Sequence, residues 1–115
     1  MHELSTMIRL VSLAQETAEK EGAKKVTALT VKVGEMTGIL PSYLYKYFPE
    51  ASRGTLLEGA ELTCTGVPVR VRCISCGTEY EPDRIPGRVC PNCGKTAAHI
   101  LAGRDVTLEN IEIES

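Results

Sequence analysis

The chain has no tryptophan and only five aromatic residues, four Tyr and one Phe, in 115 positions. It therefore offers few rings on which unpaired bases could stack. It also lacks an excess of positive charge: 13 Lys and Arg stand against 15 Asp and Glu, for a formal net charge of −2. No broad cationic field exists to hold a phosphate backbone or an anionic bilayer, so a nucleic-acid or membrane partner is not expected. The longest apolar run is a few residues, far short of the roughly 20 needed to cross a bilayer, and the first residues lack the basic, apolar and small-residue order of an export signal. Neither a P-loop glycine pattern nor a nucleophile elbow is present, which sets the sequence against nucleotide hydrolysis and acyl transfer by this chain. The expected location is the cytoplasm.

What remains has the composition of an ordinary globular domain, 43% hydrophobic and 24% charged. At this length folding hides about 65% of the extended chain's surface, enough for one modest core. A second module needs a staple.

Leu4, Met7, Ile8, Val11, Ala14 and Ala18 recur at three- and four-residue steps, with Arg9, Glu16, Glu19 and Lys20 mostly opposite, which predicts an amphipathic helix over 4–21 closed by Gly22. Val26, Thr27, Thr30, Val31 and Val33 predict a strand ending at Gly34. A second helix is expected from Ile39 to Ser52, with Pro41 in its first turn and Leu44, Tyr47 and Phe48 on one side; Pro49 predicts a kink or restart. Leu62, Cys64 and Gly66 share one alternation and Val67, Val69 and Val71 the other, so a bulge or bend is expected near Gly66 and Pro68. Val106 and Leu108, then Ile111 and Ile113, predict a last strand with a similar slip at Asn110. The expected fold is α+β: two helices on a three-stranded sheet, residues 1–69 plus 100–115, interrupted by a four-cysteine, zinc-ribbon-like module at 70–99.

That module rests on Cys73-x2-Cys76 and Cys90-x2-Cys93, with thirteen residues between the pairs. In a reducing compartment paired thiols at this spacing read as metal ligands rather than disulfides. Two facing C-x-x-C turns complete a tetrahedral all-thiolate set suited to zinc, and Gly77, Pro91, Asn92 and Gly94 supply the turn chemistry. An iron–sulfur cluster uses the same ligands. Four thiolates leave no open position for water or substrate, so the site is structural and not catalytic. Cys64, in phase with Leu62, reads as a small core hydrophobe.

The first residues, Met1-His2-Glu3, carry a second possibility. The α-amine of Met1, the His2 amide nitrogen and the His2 imidazole can close fused chelate rings and present three nitrogens in one plane. Tetragonal nitrogen-rich sets of that kind favour Ni(II) and Cu(II), with Glu3, water or another group on the fourth corner. The alternative is an ordinary terminus with Glu3 as a favourable first-turn charge. His99 has surface and packing roles ahead of ligation.

Taken jointly, the terminal Met-His-Glu, the helix after it, VGEMTGI at 33–39, GTLLEGAEL at 54–62 and the two C-x-x-C pairs closely resemble the HypA/HybF hydrogenase maturation proteins over essentially the entire chain. The resemblance implies a nickel metallochaperone, not an enzyme. It puts the nickel ligand at His2 with Glu3 adjoining and the zinc ligands at Cys73, Cys76, Cys90 and Cys93. It also implies two partners, a nickel-handling GTPase and the hydrogenase large subunit, with a homodimer as a possible form. Residues 77 and 94 are glycines where some relatives have histidines, so no relay of nickel through such histidines is expected.

Overall fold

A computed structural model describes residues 2–115; Met1 and the side chain of His2 lie outside the described residues. The elements are α1 (His2–Lys20), β1 (Lys25–Gly34), α2 (Pro41–Ser52), β2 (Glu61–Val67), β3 (Arg70–Cys73), β4 (Glu79–Tyr80), β5 (Ala98–Ala102) and β6 (Val106–Glu114). They form two sheets of three strands, ordered β2-β1-β6 and β4-β3-β5. The molecule is elongated, 53 × 27 × 17 Å.

Helix α1 buries Met7, Leu10, Val11, Ala14 and Ala18, a stripe rotated slightly from the expected one, because Leu10 turns inward while Ile8 is 51% exposed. Its end is a Schellman cap: Gly22 adopts φ 70°, its N–H donates to the Glu19 carbonyl, and the Ala23 N–H donates to the Ala18 carbonyl. Helix α2 runs past Pro49 for three residues without a break in its assignment. The missing N–H orphans the Tyr45 carbonyl, four residues back, on an exposed stretch where water can serve it. Both helices pack on the first sheet, whose central strand β1 buries Val26, Leu29, Val31 and Val33.

Strand β1 pairs in parallel with β2 and antiparallel with β6. The slip expected at Asn110 is a bulge: Thr30 faces Asn110 and Val31 faces Leu108, so Glu109 is the extra residue. The phase change near Pro68 is larger than a bulge. Leu62 and Cys64 belong to the first core, whereas Val69 and Val71 belong to a second cluster with Cys73, Tyr80 and Cys90. The chain changes sheets there. It changes back near Gly103, and β5, which residue patterning did not foretell, pairs residues 98–102 with β3.

The first sheet meets the linker between β5 and β6 backbone to backbone. The Gly34 N–H donates to the Asp105 carbonyl at 3.0 Å and the Met36 N–H to the Gly103 carbonyl at 2.9 Å. A Cβ on Gly34 would lie 2.3 Å from the Gly103 oxygen, so only glycine fits.

Candidate metal centre

Each C-x-x-C pair is held by the same local hydrogen bonding. The Cys73 N–H donates to the Thr78 carbonyl and the Gly77 N–H to the Cys73 carbonyl, both at 2.9 Å; the Cys90 N–H donates to the Lys95 carbonyl at 2.9 Å and the Gly94 N–H to the Cys90 carbonyl at 2.8 Å. Gly77 and Gly94 close the two turns at φ 77° and 75°, a left-handed conformation that side chains resist. Strand β3 delivers the first knuckle, and the Ile74 N–H donates to the Ala97 carbonyl, tying it to the residues before β5.

These two turns bring the Sγ atoms of Cys73, Cys76, Cys90 and Cys93 within 4.8 Å of one another, the one potential metal-binding group among the described residues. Cys73 to Cys93 and Cys76 to Cys90 are each 3.5 Å. A tetrahedral zinc site with Zn–S of about 2.3 Å separates its sulfurs by about 3.8 Å, so the donor set is of the right kind and close to the right spacing for that ion. The first cysteine of each pair is buried and the second exposed, so half the cluster is packed into the second core and half faces solvent.

The proton affinities of the thiols are split. The hydroxyl and then the N–H of Thr78, with the Asn92 side chain, hold the Cys76 thiol down to about 5. Desolvation opposes ionisation of Cys90, yet the N–H groups of Cys93 and Asn92 outweigh it and the value is lowered. At Cys93 the Lys95 N–H pulls downward, but Cys73 and desolvation prevail and push the thiol up to about 11. Thiols this close cannot all ionise without a cation among them. Residue patterning marks Asn92 only for its turn chemistry and does not mark Thr78; the place of each inside or beside a knuckle is the signal for a hydrogen-bonding role.

Cys64 stands outside the cluster. It is half-buried against the first core, its N–H donates to the Tyr45 hydroxyl at 2.9 Å, and burial pushes its thiol up. His99 is exposed on β5 opposite Arg72 and does not join the four sulfurs. Glu3 lies in the first turn of α1, while the expectations for Met1 and for the His2 imidazole fall outside the described residues.

A mixed α+β scaffold joined through glycines to a closed four-thiol knuckle pair defines a small metal-binding protein with no open coordination position for catalysis at that centre. A family model described as "Hydrogenase/urease nickel incorporation, metallochaperone, hypA" matches residues 1–113. The Hydrogenase maturation factor HypA of Caldanaerobacter subterraneus subsp. tengcongensis is 39% identical over 115 residues, covering 99% of this chain and 100% of that protein. Its counterpart from Methanothermobacter thermautotrophicus is 38% identical over 120 residues, covering 99% and 98%. The solution structure of the Ni metallochaperone HypA from Helicobacter pylori shares the fold, with a TM-score of 0.78 over 98% of this chain and 97% of that one at 24% identity. The chain belongs to the HypA family of nickel-incorporation metallochaperones, whose curated relatives are named hydrogenase maturation factors.

Proposed function

We propose that the chain carries Ni(II) at its amino end, keeps Zn(II) permanently in the four-cysteine centre, and hands the nickel on during maturation of nickel–iron hydrogenase. The observation that carries this reading is the whole-chain family match joined to four converging thiols. The proposed nickel donors are the Met1 amine and the amide and imidazole nitrogens of His2, with Glu3 at the fourth corner. The start of α1 at His2 favours them: amides in the first turn of a helix have no intrahelical acceptor, so deprotonating the His2 amide costs no helix bond.

Binding releases the ammonium and amide protons, and the imidazole proton where it is charged, so affinity falls in acid as the donors reclaim them. An incomplete square lets a recipient ligand enter before the carrier's ligands leave, and the cargo moves without passing through free aqueous ion. The proposed recipient is the hydrogenase large subunit, reached with a nickel-handling GTPase, in the cytoplasm, with the chain as a monomer or homodimer. Zinc, when bound, supplies charge neutralisation and folding free energy to the thiolates. Cys73 and Cys90 would anchor it from the second core, and Cys76 and Cys93 would close the shell from outside. We assign residues 1–69 plus 100–115 to the nickel-carrying unit and 70–99 to the zinc module, with 100–102 extending the module's sheet.

The test is to titrate nickel into native chain, His2→Ala and chain extended before Met1, all with zinc saturated. Native chain takes up a tightly held equivalent that the other two lose. Equal uptake by all three overturns the terminal site.

A further inference from the structure

The geometry points to the outer edge of β5 as a docking strand for an extended partner segment that is apolar at its centre and acidic at its ends. Three strand edges of useful length are exposed to pairing, and two are protected. On β2 the Cys64 N–H is already taken by the Tyr45 hydroxyl. On β6 Glu109, Glu112 and Glu114 line the strand. Charges of this sort are one way folded proteins keep strand edges from recruiting further chains. Strand β5 carries a one-residue bulge at Leu101 but no charged residue anywhere in Thr96–Gly103, lies at the end of its sheet, and leaves Ile100 and Leu101 each 41% exposed.

Charge selects the occupant. Lys95 and Arg104 bracket the uncharged stretch, and neither side chain has an ion-pair partner among the described residues. Residues 70–104 carry six basic side chains against three acidic, whereas the rest of the chain carries seven against twelve. The excess stays positive even after the two negative charges that four thiolates leave around a divalent ion. A second copy of β5 would set this basic region against itself, which favours a different, acidic strand. Beside the end of β5 a cleft of about 360 Å³, lined by Lys32, Val67, Leu101, Arg104 and Asp105, can take a side chain from that strand. Main-chain pairing supplies the attachment, and the two bracketing cations supply the selectivity.

The inference stands apart from the nickel reading, because docking is measured on nickel-free, zinc-loaded full chain. The probes are two ten-residue synthetic peptides with the same Val-Thr-Val centre, one ended by glutamates and the other by lysines. Fluorescence polarisation reads binding, and hydrogen exchange reads protection of residues 98–102. The glutamate-ended peptide binds at least about tenfold tighter, as expected from gaining charge-assisted contacts at its ends, and it protects β5. The Lys95→Glu/Arg104→Glu double variant, still holding one zinc, inverts the preference. Equal binding of both peptides, binding of neither, or protection elsewhere than β5 overturns the proposal. So does a homodimer lost in Ile100→Lys and in Ile100→Glu but restored when the two are mixed, since that makes a second copy the occupant.

Discussion

Alanine at Gly34 tests whether the first sheet and the linker between β5 and β6 are joined by direct backbone contact. Gly34 has φ −68° and ψ 133°, values alanine adopts freely, so any cost is steric and not conformational. The added Cβ would sit 2.3 Å from the oxygen and 2.4 Å from the carbon of the Gly103 carbonyl, and 2.9 Å from the Asp105 oxygen. All three atoms are backbone, which cannot rotate aside. The linker has to move by about an ångström, straining the hydrogen bonds from Gly34 to Asp105 and from Met36 to Gly103. Overpacking of this kind costs about 1–3 kcal/mol. At roughly 4 °C per kcal/mol for a domain of this size, the melting temperature of zinc-loaded chain falls by ~4–12 °C. Gly66→Ala is the control, because it has no positive φ and nothing within 4 Å of its added Cβ. Its effect stays within about 0.5 kcal/mol. If calorimetry finds the two variants melting together, the first sheet is not locked to that linker through Gly34 and the reasoning fails.

Stripping zinc with a strong chelator releases the second sheet alone: exchange of amides in 70–102 accelerates while those of 26–33 keep their protection, and uniform acceleration would mean one cooperative unit. Cys90→Ser lowers zinc stoichiometry measured by atomic emission, whereas Cys64→Ser leaves one zinc per chain. Burial pushes the Cys64 thiol up, leaving less thiolate at neutral pH, so iodoacetamide modifies it more slowly than an unburied cysteine in a peptide of the same local sequence. Arg72, then Arg70, holds the Glu79 carboxyl below its ordinary value. A lowered folded value makes its contribution to stability complete above the ordinary glutamate range and lost as pH falls through the folded value. An NMR titration of Glu79 accordingly moves upward in Arg72→Gln, and an unchanged curve would remove Arg72 as the cause.

Much of this architecture is legible in residue patterning. The amphipathic period of α1, rotated only slightly, the β-branched run of β1 and the Gly22 cap report local preferences that packing largely keeps. Pro49 does not restart the helix because a ring near the end of a short helix disrupts only one carbonyl, and here that carbonyl is on an exposed stretch. The double alternation around Pro68 is visible as a phase change. Its meaning is not, since a bulge and a change of sheet leave the same mark in sequence. Strand β5 goes unseen because five residues of mixed exposure, Ala98 to Ala102, carry no clean period of two. The metal centre is the easiest part to read: ligand identity and spacing dictate the knuckles, and the glycine four residues after the first cysteine of each pair closes each turn. The near-contact of Gly34 with Gly103 spans the chain and has no local signature at all.

The claim at the centre of this account is that sulfur retains one metal while nitrogen at the amino end carries another. X-ray absorption at the zinc and nickel edges of untagged, doubly loaded chain reads both coordination shells in one sample. The account predicts about four sulfurs near 2.3 Å around zinc and a nickel shell of nitrogen and oxygen with no sulfur. Sulfur around nickel, or nitrogen replacing sulfur around zinc, would contradict it.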